Sequence, residues 1–176
     1  LLSSPLRDRF GVVNRLSYYS ADDLVQVVCR AAVKLGVPID AESSKELARR
    51  ARGTPRIALK LLKRVRDVAQ VKGEGKITPE MLLKTFELLE VDPLGLDDID
   101  RKLLLSIIEK HSGGPLGIET IAATISEDLG TVEEVLEPYL LQIGFIKRTP
   151  RGRIVTERAF SHLGKKIPVH LQESLL

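Results

Sequence analysis

The sequence predicts a mainly α-helical protein. A four-helix bundle over about residues 20–92 is followed by a winged helix over about 96–168, and a lone strand precedes both. Three observations carry this. Aromatics are 4% of the chain and Trp is absent, so the 43% hydrophobic content is mostly Leu, Ile, Val and Ala, which suits packed helices better than a sandwich or barrel. Four segments of the first half repeat apolar residues at helical spacing behind recognisable caps. In the second half, three helical segments lead into two strand-like runs around a tight turn, the order of a winged helix.

The elements follow in order. Ser4-Pro5 can open a helical turn that Gly11 ends, and Val12 to Tyr19 reads as a strand with no partner nearby, as if its sheet were completed by residues absent from this chain. Ser20 and Asp23 resemble a capping box, with Leu24, Val27, Val28, Ala31 and Leu35 behind them and Gly36 as the stop. Asp40 to Arg52 is the second helix. The third starts at Thr54, with Pro55 at its first helical position and Ile57, Ala58, Leu61, Leu62, Val65, Val68 and Ala69 as its apolar stripe. Thr78-Pro79 opens the fourth. Val91 to Leu96, broken by Pro93 and Gly95, reads as the domain boundary. Asp97 to Lys110, carrying Ile99, Leu103, Leu104, Ile107 and Ile108, and Ile118 to Ile125 are the next helices. Thr131 and Glu134 suggest a capping box for a helix with Val132, Val135, Leu136, Tyr139 and Leu140 inward, Glu133, Glu134 and Glu137 outward, and a kink at Pro138. Phe145–Arg148 and Arg153–Thr156 read as the hairpin strands, and Glu157 to Leu163 as a closing helical turn.

Composition bounds the function. A net charge of +3 and a pI near 9.0 permit nucleic acid as a partner without requiring it. The single cysteine, Cys29, excludes an internal disulfide and fits a reducing, cytoplasmic setting. No apolar run is long enough to cross a bilayer, and no signal peptide is visible. The chain opens on Leu1 rather than Met, which is read as the later part of a longer protein. Gly73 to Thr78 imitates a phosphate loop, but Gln70 stands where the pattern needs glycine. His111, His162 and His170 lack metal-ligand spacing, so no metal site is expected.

Two basic clusters remain. Lys45 to Arg66 holds nine Lys/Arg against one acid, Glu46, and contains Arg56 in the first turn of the third helix. A helix N-terminus carries unpaired N–H groups and partial positive charge. An arginine there opposes the dipole, which points to a phosphate-bearing ligand, although a solvated face is the plainer reading. Lys147, Arg148, Arg151 and Arg153 surround the hairpin turn. The helix before it is acidic outside and would repel phosphates, so the wing suits contact with DNA better than a helix laid in the major groove; a winged helix that binds protein is the competing reading.

Several stretches together resemble the RuvB family, the bacterial AAA+ motors of Holliday-junction branch migration. They are Ser4-Pro5-Leu6-Arg7-Asp8-Arg9-Phe10-Gly11, Arg49-Arg50-Ala51-Arg52-Gly53-Thr54-Pro55-Arg56-Ile57-Ala58, Asp100-Arg101-Lys102-Leu103-Leu104, Gly113-Gly114-Pro115, Glu137-Pro138-Tyr139-Leu140 and Arg148-Thr149-Pro150-Arg151-Gly152-Arg153. The resemblance covers about Leu1 to Pro168; Val169 to Leu176, the tail, matches nothing. It implies the end of a AAA+ ATPase domain at 1–19, a helical lid at 20–92 and a DNA-binding winged helix at 96–168. Arg9 is then the arginine finger that reaches a neighbouring subunit's ATP. Arg56 is the sensor-2 arginine on the γ-phosphate, Tyr19 flanks the adenine, and Arg148 and Arg153 contact DNA. The implied ligands are ATP or ADP with Mg2+, whose family ligands, like the Walker A and Walker B residues, precede Leu1, so this piece alone should not hydrolyse ATP. The implied partners are the duplex arms of a Holliday junction, a RuvA-type junction-binding protein, a RuvC-type resolvase and a homo-hexamer. A non-motor winged-helix regulator and a AAA+ replication initiator or loader are the alternatives.

Overall fold

The computed structural model of the chain describes Arg9, residues 17–72 and residues 75–168. Most of the expected strand at Val12–Tyr19, the opening turn, much of the Gly73–Lys76 loop and the tail therefore lie outside the described residues. At Ser17–Tyr19 the backbone is neither helix nor strand. The chain divides into two compact units at Leu82/Leu83.

The first unit begins with α1 (Ala21–Lys34), α2 (Ala41–Arg49) and α3 (Pro55–Lys72). Ser20 caps α1: its hydroxyl accepts the Asp23 N–H at 3.1 Å and donates to the Asp23 carboxylate at 2.7 Å. Asp40 caps α2 by accepting the Ser43 N–H at 2.7 Å. These caps satisfy N–H groups that a helix cannot satisfy internally. Leu24, Val28, Leu47, Ala48, Ala58, Leu61, Leu62, Val65 and Ala69 are buried, while Ile57 and Val68 are half-buried at the stripe's margins. α4 (Pro79–Leu88) opens behind Thr78, whose hydroxyl accepts the Met81 N–H at 3.3 Å. A parallel bridge between Ile39 and Ile77, with the Ile77 N–H on the Pro38 carbonyl at 2.9 Å, ties the loop after α1 to the approach of α4.

The second unit holds α5 (Asp98–His111), α6 (Ile118–Ile125), the composite α7, the hairpin β1 (Ile146–Thr149) and β2 (Gly152–Val155), and α8 (Glu157–His162). Asp97 and Asp100 form a reciprocal capping box on α5, which buries Asp100 and leaves Ile99 exposed. One core joins Leu103, Leu104 and Ile107 of α5 with Ile121 and Ile125 of α6, Leu136 and Leu140 of α7, and Phe145, Val155 and Phe160.

α7 departs most from expectation. It runs through Leu129–Thr131, a π-helical turn at Val132–Leu136, and Glu137–Gln142. Thr131 lies inside the helix with αR dihedrals and makes no side-chain cap; Asp128 is the N-cap. Pro138 has no N–H to give to the carbonyl four residues back, and its ring would press on that carbonyl in a regular α-helix. The turn before it is wound wide instead, with the Glu137 N–H on the Val132 carbonyl, five residues back. The wider turn delays the rotation of the side chains. Val135 therefore falls on the solvent side, 60% exposed, and Glu137 turns inward to 1% exposure, both opposite to the sequence reading.

The hairpin strands begin one residue later and one residue earlier, respectively, than the sequence suggests, leaving a two-residue connection, Pro150-Arg151. Arg148 stands directly opposite Arg153 in the antiparallel register. Leu116 adds a third, single-residue rung that no strand pattern in the sequence announces: its N–H donates to the Arg153 carbonyl at 2.9 Å and its carbonyl accepts the Arg153 N–H at 2.8 Å. Gly152, at φ +134°, makes that approach possible, because a Cβ there would stand 2.4 Å from the Leu116 carbonyl oxygen.

Candidate functional site

In the first unit the candidate residues gather around the turn between α2 and α3. Gly53 sits at φ +69° with Tyr18 packed so closely that a Cβ would meet the Tyr18 Cβ at 2.8 Å. The Tyr19 N–H donates to the Gly53 carbonyl at 2.9 Å. Tyr19, half exposed, is thus fastened three residues from Arg56, and the two residues share one end of the helical unit. Thr54 gives its carbonyl to the Ala58 N–H, the first helical bond of α3, and its hydroxyl donates to the Arg52 carbonyl at 3.2 Å.

No acidic residue stands in the first turn of α3. Arg56 is exposed and shares an open groove with Leu59, Lys60 and Lys63 on the face opposite the buried stripe. The surrounding basic run is less uniform than its sequence. Arg50 is buried against Glu46, Arg49 lies 3.5 Å from the same carboxylate, and Arg66 pairs with Asp67 at 2.6 Å. What faces solvent as one strip is Arg56, Lys60 and Lys63. Arg9 is exposed in a turn, and no described contact joins it to Tyr19 or Arg56.

In the second unit Arg148 and Arg153 come together on Glu137. Glu137 Oε1 accepts from Nε of both arginines at 2.8 Å, and its Oε2 accepts from their Nη2 atoms at 2.9 and 3.2 Å. Two like charges directly across a hairpin repel; a buried carboxylate between them removes that cost. Burial works to raise the Glu137 pKa, but the hydrogen bonds and charges of Arg148 and Arg153 outweigh it and hold the carboxyl below its ordinary value. The same hydrogen bond with Glu137 raises the pKa of Arg148. The arginine side chains differ in exposure, 59% for Arg148 and 19% for Arg153. Lys147 and Arg151 are exposed beside them.

Glu137 is the participant that sequence reasoning misses. Helical periodicity groups it with Glu133 and Glu134 on the outer face, and those two are indeed exposed. Only the neighbouring proline, and the wide turn it demands, signals a different register. Among the described residues no group of three or more His, Cys, Asp or Glu side chains is arranged to hold a metal ion.

A AAA+-type helical lid joined to a winged helix is the class these two units define. Residues 19–92 match the RuvB AAA lid domain, and residues 93–164 match the RuvB C-terminal winged helix domain. The solved structure of the Thermotoga maritima RuvB Holliday junction branch migration motor is 48% identical, with a TM-score of 0.90 over 95% of this chain. A mutant of the same protein gives 0.91 at the same identity and coverage. The chain belongs to the RuvB family, and it spans 56% of the length of these relatives.

Proposed function

We propose that this chain is the lid and winged-helix portion of an ATP-driven DNA motor that moves Holliday junctions during recombination and repair. What supports the reading is the match of both units, in order, to one family, a solved member of which is a branch-migration motor. The lid takes residues 20–92 and the winged helix residues 96–168, after the end of the ATPase domain at 1–19.

In this reading Arg56 offers a planar guanidinium from the first turn of α3 to the γ-phosphate of ATP, where helix N–H groups and the fork geometry both favour an oxyanion. Tyr19, held on Gly53 by its backbone, flanks the adenine. Arg9 reaches the nucleotide of a neighbouring subunit and neutralises charge developing on the transferred phosphoryl group. Mg2+ accompanies the phosphates. Arg148 and Arg153 place the wing on the phosphate backbone of a duplex arm, which carries no sequence information and suits a motor that must pass over any sequence. A homo-hexamer, a RuvA-type junction-binding partner, a RuvC-type resolvase and a cytoplasmic location complete the proposal; no helix among the described residues is long and apolar enough to cross a membrane.

The test is ATP turnover and migration of a synthetic four-way junction by the complete protein. Arg56→Ala should lower turnover about ten-fold or more, the scale of losing a charge-assisted bond to phosphate, and Arg56→Lys should restore it only in part. An undiminished rate in the Ala variant removes the sensor role.

A further inference from the structure

We infer that Glu137 is the positioning residue of the wing: it grips the Nε–Nη2 edges of Arg148 and Arg153 from inside the fold, so that both guanidinium groups present their opposite edges to a DNA phosphate. The inference rests on the proposed DNA-binding role of the wing and adds the residue that prepares it.

The geometry is specific. Each Glu137 oxygen accepts two N–H groups, one from each arginine, at 2.8 to 3.2 Å. A guanidinium is a rigid plane with five N–H donors, and two are spent on Glu137, leaving roughly three that a phosphate can take. Arg148, more than half exposed, is held at its root and open at its far edge. The backbone of Arg153 is fixed as well, by two bonds to Leu116. Both side chains are ordered before any ligand arrives, so binding does not have to immobilise them. The trio keeps a net positive charge, which attracts a phosphate.

A second view of the same carboxylate predicts the opposite result. Treated only as a negative charge near the wing, Glu137 repels DNA, and its removal should tighten binding and steepen the salt dependence. As a positioning residue its removal should loosen binding although the protein becomes more positive. The sign of one measurement separates the two.

The experiment is fluorescence-anisotropy titration of the full chain with short duplexes of unrelated sequence across a salt series, with circular dichroism and hydrogen exchange to check the fold. Glu137→Gln should weaken binding about ten-fold, the scale of ordering two long side chains anew, and flatten the log-affinity versus log-salt slope by up to about 0.9 for each phosphate left unneutralised. Glu137→Asp keeps the charge but withdraws it by one methylene, and should weaken binding in the same direction. Tighter or unchanged binding by Glu137→Gln, or wild-type binding by Glu137→Asp, overturns the inference and leaves the DNA reading standing. If Glu137→Gln does not fold, Arg148→Lys decides, because it alters an exposed side chain and keeps the charge while losing the two-edged fork. Weak binding supports the inference and wild-type binding refutes it. A wild-type chain that binds no duplex, or binds with no salt dependence, defeats the DNA reading itself.

Discussion

Arg153→Ala is the perturbation that most directly weighs the buried carboxylate. Arg153 supplies two hydrogen bonds to Glu137, whose side chain is 2% exposed, and is itself only 19% exposed. Removing one partner of a fully buried ion pair costs about 3–5 kcal/mol, because the other charge is left uncompensated. Here Arg148 remains on both oxygens, and Arg153 keeps some exposure to solvent, so about 2 kcal/mol is the expected loss. The backbone bonds between residue 153 and Leu116 survive the substitution, which confines the cost to the side chain. Arg148→Ala removes the same number of bonds from a side chain 59% exposed, where water replaces much of what is removed, and should cost less than about 1 kcal/mol. The double variant strands Glu137 and should cost more than the two singles together. Adding Glu137→Leu to it should recover part of the stability, since the buried charge is then gone. Urea unfolding of the full chain followed by circular dichroism gives the free energies, and hydrogen exchange locates the loss in β1, β2 and the C-terminal turns of α7. Equal costs for the two single variants, or strict additivity in the double, would refute the argument.

Two further perturbations probe the same hairpin. Gly152→Ala places a Cβ against the Leu116 carbonyl at a φ that disfavours any side chain, so it should destabilise by about 1–3 kcal/mol and speed amide exchange at Leu116 and Arg153. Acid should loosen the wing. The Glu137 pKa is depressed in the fold, so the stability it contributes is fully present above the ordinary Glu value, about 4.3, and is lost as pH falls through its lower folded value. A pH series of hydrogen exchange should show hairpin protection unchanged from neutrality to about pH 5 and falling below about pH 4 in wild type, with that acid component absent from Glu137→Gln.

Much of the fold is legible in the sequence because caps and periodicity are local. Ser20, Asp40, Thr78 and Asp97 each accept a backbone N–H at a helix start, and the stripe on α3 is buried as its spacing suggests. What escapes is non-local or depends on one backbone bond. Leu116 carries no strand pattern; it joins the hairpin only because Gly152 admits a neighbouring backbone. Thr131–Glu134 imitates a capping box but lies one turn inside its helix. Val135 and Glu137 exchange sides because periodicity counted at the α-helical angle runs through a turn that Pro138 holds open. Arg148 and Arg153 stand out as a pair in the sequence, yet that same count assigns the acid that joins them to solvent. Tyr19 and Arg56 come to one end of the bundle through a main-chain bond to Gly53 that no side-chain pattern announces.

The division of charge within the winged unit bears on how it can meet a polyanion. Between His111 and Lys147 there is no Lys or Arg, and six carboxylates fall in that stretch; from Lys147 to Lys166 there are seven Lys/Arg and one acid, Glu157. Glu133 and Glu134 remain exposed on α7, the helix that a major-groove reader would insert. Carboxylates there face phosphates within a Debye length of about 10 Å at 0.1 M salt, so insertion is opposed where base reading would need it. The wing meets less of this repulsion because Glu137, the α7 acid hydrogen-bonded to it, is buried under two guanidinium groups rather than presented to solvent; of the exposed pair, Glu133 still acts on Arg148 through its charge. Under the proposed function, the turn that Pro138 widens thus does two things at once. It would remove a repulsive charge from the edge of the proposed DNA-facing surface, and it makes that same charge the anchor of Arg148 and Arg153.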